Sequence, residues 1–333
     1  PPPPPRPTSF FQAEDGKRHQ PRSRGLGDVN KRQIGNTPLI KLSKIIPSDS
    51  ANVWIKLEYV NPTGSYKDRM ALAMIEGAEQ RGDLQPGMTV VEYTGGSTGS
   101  SLAFICAVKG YDFHVISSDA FSIEKLKTMK TFGANLEIIN SPSGKINSDI
   151  IQRMIDRAKQ LSQRDDYFFT DQLNNTDVIK GFEVMGNEIQ NQFDYPIDGF
   201  CASIGTAGAM MGVSNILLKS HSNLKVVALE PETAAYYSKG IKNGKHHVEG
   251  IGLGFKLPLL KKNNYKEARG INEEESRVMA RTLARDEGIF AGTSTGLNVV
   301  GALQLAKEMG QGKHVVTLAC DSGLKYLNGD LFT

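Results

Sequence analysis

The chain has 333 residues, of which 39% are hydrophobic, 23% charged and 8% aromatic, with a formal net charge of +3. That length holds one large domain or two ordinary ones, and excludes a disulfide-stapled miniprotein, a collagen-like fibre and a mostly disordered chain. Residues 1–33 carry seven basic side chains against three acidic ones and seven of the fifteen prolines, which leaves 32 basic and 33 acidic residues for the rest. The basic character therefore belongs to a Pro-rich segment, and the nearly neutral body is expected to bind neither nucleic acid nor a membrane surface. No apolar run reaches the roughly 20 residues of a bilayer span.

Taken from the start, five leading prolines fit polyproline II and forbid the amphipathic helix of a transit peptide, so residues 1–33 read as a disordered extension. From Gln33 onward, short β-branched runs alternate with helical stretches. Strands are expected at 53–57, 89–93, 113–116, 136–139, 167–170, 199–204, 226–230 and 314–318. Helices are expected over 70–81, over 98–109 with Gly110 as the stop, and over 122–132. This alternation predicts α/β architecture with parallel sheets covered on both faces, and the length suits two sheets. The loop 231–262 is long, and its Gly-rich centre is expected to reach into a cleft. Cys106, Cys201 and Cys320 lie far apart in apolar contexts without a C-x-x-C, which points to buried reduced thiols and away from a metal site.

Ligands of open α/β sheets bind where strands run into helices, and four Gly-rich segments stand at such junctions. In Asn61-Pro62-Thr63-Gly64-Ser65-Tyr66-Lys67-Asp68-Arg69, Ser65 and Asp68 have capping-box spacing, which puts Lys67 in a first helical turn. The positive end of the helix dipole disfavours an ammonium there, unless the amine is kept neutral or used covalently. An exposed lysine paired with Asp68 is the plainer alternative. Thr94-Gly95-Gly96-Ser97-Thr98-Gly99 offers backbone N–H groups and hydroxyls to a phosphate or carboxylate, and a purely structural turn is its alternative. Ile204-Gly205-Thr206-Ala207-Gly208-Ala209 is a second such cradle. In Ala291-Gly292-Thr293-Ser294-Thr295-Gly296, Ser294 or Thr295 serves a ligand or caps a helix.

The run from Asn61 to Arg69 resembles the cofactor-lysine signature of the cysteine synthase and cystathionine β-synthase family of pyridoxal-phosphate enzymes. The likeness extends from Gly35-Asn36-Thr37-Pro38-Leu39 to about Leu327. It implies a tryptophan-synthase-β-like fold of two three-layer αβα domains with mostly parallel sheets and pyridoxal 5'-phosphate in the cleft. The smaller domain would span 61–175, and the larger 34–60 with 176–333. The resemblance also implies that Lys67 is the Schiff-base lysine. Thr94, Gly95, Gly96, Ser97 and Thr98, with Gln172 and Gly250, would meet the substrate, and Ser97 the cofactor as well. Gly205, Thr206, Ala207, Gly208 and Ala209 would hold the cofactor phosphate, and Ser294 the ring nitrogen. Ser97 stands where the family carries Asn, and Ala207 and Ala209 where it carries Gly and Thr.

The implied activity is β-replacement on an O-activated serine, such as O-acetylserine, by sulfide or a thiol through an aminoacrylate, in a cytoplasmic homodimer. Gly252-Leu253-Gly254-Phe255 is similar to cysteine synthases rather than cystathionine β-synthases, and neither a regulatory domain nor a haem-binding Cys/His pair is expected. The alternatives are a cysteine desulfhydrase or other β-elimination lyase, a serine or threonine dehydratase, and a non-catalytic regulatory relative.

Overall fold

The computed structural model describes residues 33–142, 144, 148–242 and 244–333, so the segment expected to be disordered lies almost wholly outside the described residues. In chain order the first half forms β1 (Leu39–Lys41), β2 (Asn52–Leu57), α1 (Lys67–Arg81), β3 (Thr89–Tyr93), α2 (Ser97–Lys109), β4 (Asp112–Ser118), α3 (Ile123–Thr131) and β5 (Asn135–Ile139). There follow α4 (Ser148–Leu161), β6 (Tyr167–Phe169), α5 (Asp177–Asn191), β7 (Gly199–Ser203), α6 (Gly208–Ser220) and β8 (Lys225–Pro231). A short α7 (Tyr236–Lys239), β9 (Glu267–Ile271), α8 (Glu273–Thr282), α9 (Thr293–Met309) and β10 (His314–Ala319) complete the chain. One sheet has the order β1-β2-β10-β7-β8-β9, and the other β5-β4-β3-β6. Every pairing is parallel except that of β1 with β2.

Both sheets are buried on two faces, and the strand sequences show why. Phe200 and Ala202 of β7 join the core formed by Phe182, Met185 and Ile189 of α5 and Val213 and Leu217 of α6, whereas Cys201 joins Leu297, Val299 and Leu305 of α9. Val226 and Ala228 of β8 take the first face, and Val227 and Leu229 the second. In the four-stranded sheet, Val90 and Val115 pack with Leu102 and Ile105 of α2, while Val91 and Ile116 face Ile150 and Met154 of α4. Period-two alternation between two apolar layers yields the near-continuous apolar runs from which parallel strands were expected.

Strand ends differ from expectation by one or two residues. Two strands had no such signal. The three-residue β1 is too short for periodicity, and β9 is an edge strand whose Glu267 and Arg269 face Lys225 and Glu308.

A buried ionic network anchors the start of α1. The Arg69 guanidinium donates to Glu58 from Nε and Nη2 (2.7 and 2.8 Å) and to Glu188 from Nη1 and Nη2 (2.8 and 2.7 Å). Fully buried Lys56 donates to the Thr37 carbonyl (2.6 Å) and pairs with Glu188 (2.8 Å). Burial alone would raise the Glu188 pKa, but Arg69 and Lys56 outweigh it and hold the carboxyl at about 2. A carboxylate depressed in the folded state stabilises the fold above its unfolded pKa of 4.5 and loses that contribution as pH falls toward 2. Thermal melts should therefore fall more steeply with acidification in the wild type than in Glu188→Gln; parallel profiles would contradict the assignment.

Candidate functional site

Lys67 is the first residue of α1. The expected capping box is absent: Tyr66 occupies the N-cap without a side-chain bond, because Asp68 is used elsewhere. The Asp68 carboxylate instead accepts from the Thr63 amide (2.8 Å) and hydroxyl (2.6 Å), closing the turn that precedes the helix. Nor does Lys67 pair with Asp68. Its side chain is buried, with Nζ 4.8 Å from the Tyr66 ring centroid, and no residue among those described forms a hydrogen bond or ion pair with Nζ. Burial lowers its pKa to about 8, against the opposing pull of Cys320 and Asp321.

The strand end after β10 places those two residues beside the lysine. The Tyr66 amide donates to the Cys320 carbonyl (2.9 Å), the Ser322 amide to Gly64 (2.9 Å), and Ser65 bridges Asp321. Burial pushes the Cys320 thiol up to about 12. Ser294, on the first turn of α9, lies against this thiol. Neither Ser294 nor Thr295 caps the helix: the N-cap is Gly292, and the Thr295 hydroxyl accepts from the Cys320 amide (3.0 Å). The side chain of Asn298 staples the same corner. It accepts from the Ser203 amide (2.7 Å) and donates to Leu318 O (2.9 Å), tying the ends of β7 and β10 to α9.

Between β3 and α2, the Thr94 hydroxyl accepts from the Gly96 amide (3.2 Å), and α2 begins at Ser97 behind an N-cap glycine with no side-chain cap. The first amides of the helix are therefore left for another acceptor. A Cβ on Gly95 would strike the Phe121 ring at 1.9 Å, whereas one on Gly96 would meet nothing within 4 Å. Thr98 Oγ1 donates to Gln172 Oε1 (2.8 Å), so the structure brings Gln172 to this loop. Glu92, fully buried in β3, accepts from the Thr170 hydroxyl (2.6 Å) and the Gln172 amide (3.0 Å), and burial raises its pKa to about 8. This group was not anticipated, although a lone carboxylate inside Thr89-Val90-Val91-Glu92-Tyr93 was a visible signal.

After β7, Gly205 and Thr206 lead into α6 through Ala207, which adopts φ 70° although it is not glycine. Such a conformation costs about 1–2 kcal/mol and persists where the surroundings impose it. A Cβ on Gly205 would lie 2.2 Å from the Gly250 carbonyl, and one on Gly208 2.1 Å from Val178. The long loop thus reaches this cradle through Gly250, as expected of its Gly-rich centre. Gly205→Ala should accordingly displace the 250 loop with the fold intact. Limited proteolysis with unchanged thermal melting checks this; the same cleavage pattern as wild type across residues 245–255 would contradict it.

The opposite wall holds side chains to which sequence reasoning assigned no role, although Asp321, Lys325 and Tyr326 lie in the segment Cys320 to Leu327 that resembles the family's closing motif. Lys125 of α3, 4% exposed, pairs with Glu249 of the long loop and lies 5.2 Å over the Tyr326 ring. Asn328 donates to Glu124 (2.9 Å), and Lys325 Nζ donates to Ser97 Oγ (3.1 Å). Asp321 accepts from the Tyr326 hydroxyl (2.8 Å) through Oδ2, while buried Oδ1 has no partner. Their partners lie 124 and 228 residues apart for Lys125 and Lys325, so no local pattern could announce them.

These parts define an α/β protein with a desolvated, unpartnered amine at one helix start and uncapped helix N-termini at two Gly-rich loops. That donor set fits a ligand bearing a carbonyl for the amine, a phosphate for one cradle and a ring nitrogen for a neutral hydroxyl. The chain belongs to the pyridoxal-phosphate-dependent enzyme family, whose model matches residues 31–321. It is 39% identical over 302 residues to a cysteine synthase of Staphylococcus aureus (strain Mu50 / ATCC 700699), covering 90% of this chain and 95% of that one. The cysteine synthase (OASS) of Entamoeba histolytica superposes with a TM-score of 0.85 at 29% identity, covering 97% of this chain and 94% of the other. A hydrogen sulfide-producing enzyme of Fusobacterium nucleatum superposes at 0.82 and 31% identity, covering 90% and 99% respectively.

Proposed function

We propose that this protein is a cysteine synthase-type enzyme that replaces the β-substituent of an O-activated serine, such as O-acetylserine, with sulfide or a thiol. The observation that carries this is Lys67: a buried, unpartnered amine at a helix start, with its pKa lowered to about 8. In this reading Lys67 binds the cofactor covalently, the backbone of Gly205 to Ala209 with the N-terminus of α6 holds its phosphate, and Ser294 meets its ring nitrogen. Pyridoxal phosphate, when bound, supplies an electron sink for charge developing at the substrate Cα. Thr94 to Thr98 and Gln172 hold the substrate carboxylate, with Gly250 on the facing loop. Lys67 Nζ, released when substrate binds, takes the Cα proton as general base. Ser294 would offer the ring nitrogen a neutral hydroxyl rather than a carboxylate. The Gly-rich loops on the two sheets make the units 61–175 and 34–60 with 176–333 the walls of one cleft. The reading extends to a cytoplasmic homodimer, for which light scattering should return twice 36.4 kDa.

The same residues serve elimination of sulfide from cysteine, a second reading favoured by the likeness to the Fusobacterium nucleatum enzyme. Holoenzyme incubated with O-acetylserine and sulfide should form cysteine. Sulfide and pyruvate from cysteine alone, with no synthesis in the first assay, would overturn the synthase reading. Because burial lowers the Lys67 pKa, capture of pyridoxal phosphate by the apoenzyme should rise with pH through about 8. A midpoint near the ordinary lysine value of 10.5 would contradict the assignment.

A further inference from the structure

Lys325 occupies an unusual place for a cation. It sits on the 3-10 turn Gly323–Tyr326, whose preceding residue Ser322 is stitched to the lysine loop at Gly64. Its stem passes close to that loop, since a Cβ on Gly64 would lie 3.7 Å from Lys325 Cε. Its ammonium ends 3.1 Å from Ser97 Oγ, at the first residue of α2. The helix dipole there is positive, so the contact is electrostatically unfavourable for an ammonium unless anions face it. The Asp321, Asp68 and Glu249 carboxylates are near enough to act on it as opposite charges, while Lys125 adds a second cation. A Cβ on the neighbouring Gly96 would meet nothing within 4 Å outside its own chain neighbours, so the turn beside the Lys325–Ser97 contact is not closed by a packed side chain.

Donor counting fixes what Ser97 can then do. An ammonium only donates, so in this contact the Ser97 oxygen accepts, and its own proton must point to another acceptor. We propose that Lys325 is a positioning residue for substrate recognition: it orients the Ser97 hydroxyl as a donor toward the carboxylate of the amino-acid substrate. The assignment rests on the reading of residues 94–98 as the carboxylate loop. The pair supplies one oriented donor and one nearby positive charge. Lys325 acts through Ser97 and leaves the chemistry at Lys67 Nζ alone, so its removal should act on binding rather than on turnover at saturation.

The test uses holoenzyme and L-alanine, which has the carboxylate and amine but no group to lose. Alanine binding is read from the absorbance of the bound cofactor, and KM and kcat are measured with O-acetylserine and sulfide. Lys325→Met and Ser97→Ala should each raise the alanine dissociation constant and KM about tenfold, and in Lys325→Met kcat should stay within about threefold, as expected for loss of one charge-assisted donor. The double variant should be no worse than either single one, and Lys325→Arg should stay near wild type. Ser97→Asn, whose amide donates without help, should restore binding to Lys325→Met. Unchanged alanine binding in Lys325→Met, additive losses, or a fall in kcat at constant KM would overturn the assignment while leaving the proposed activity standing. If the wild-type holoenzyme neither responds to alanine nor turns over O-acetylserine, the carboxylate loop and the role of Lys325 fall together.

Discussion

Replacing Lys67 by alanine should lower turnover by roughly a thousandfold or more, because in the proposed reading this residue is both the covalent anchor and the general base. The fold should survive. Lys67 Nζ makes no hydrogen bond or ion pair among the described residues and gives up only its contact with the Tyr66 ring, so the truncation strands no buried hydrogen-bonding partner. Desolvation of an ammonium is itself a cost, and alanine removes that cost. The variant should therefore melt within a few degrees of the wild type while losing activity with O-acetylserine and with cysteine alike. Turnover within about tenfold of wild type would mean that another amine carries the chemistry.

The second large effect lies two residues further along the same helix. Arg69→Met should destabilise the protein by about 3–5 kcal/mol in urea titration, because it leaves Glu58 charged and fully buried without its guanidinium. Glu188 loses a partner too but keeps Lys56. The double variant Glu58→Gln, Arg69→Met removes the stranded charge and should recover part of the loss. Since Arg69 lies in the first turn of α1, loosening it should also speed release of the cofactor that Lys67 is proposed to hold. A variant as stable as wild type would show that the network contributes no net stability.

The parallel strands were legible because each is apolar toward two layers, as in Phe200, Cys201 and Ala202, where neighbours face opposite cores. Edge strand β9 was not, since a strand with Glu267 and Arg269 half-exposed looks like a loop. Lys67 stood out because its position conflicts with the helix dipole, and desolvation in the structure resolves that conflict. The capping box was misread for a local reason: Asp68 has the right spacing from Ser65 but finds Thr63 first. For Ser294 and Thr295 the sequence left ligand contact and capping open; glycine at 292 is the N-cap, so neither hydroxyl caps, and that of Thr295 accepts from the Cys320 amide instead. Lys125 stayed hidden, and Asp321 and Lys325, which lie in the segment Cys320 to Leu327 that resembles the family's closing motif, received no role, because their meaning depends on contacts made only when the sheets and the C-terminal turn come together.

The account turns on a covalent bond between Lys67 and pyridoxal phosphate. Borohydride reduction of the purified holoenzyme, followed by proteolysis and mass spectrometry, tests it directly. The predicted result is a single modified peptide carrying the reduced cofactor on Lys67, with loss of the visible absorbance. A cofactor attached to any other lysine, or a colourless protein with no labelled peptide after incubation with pyridoxal phosphate, would contradict it.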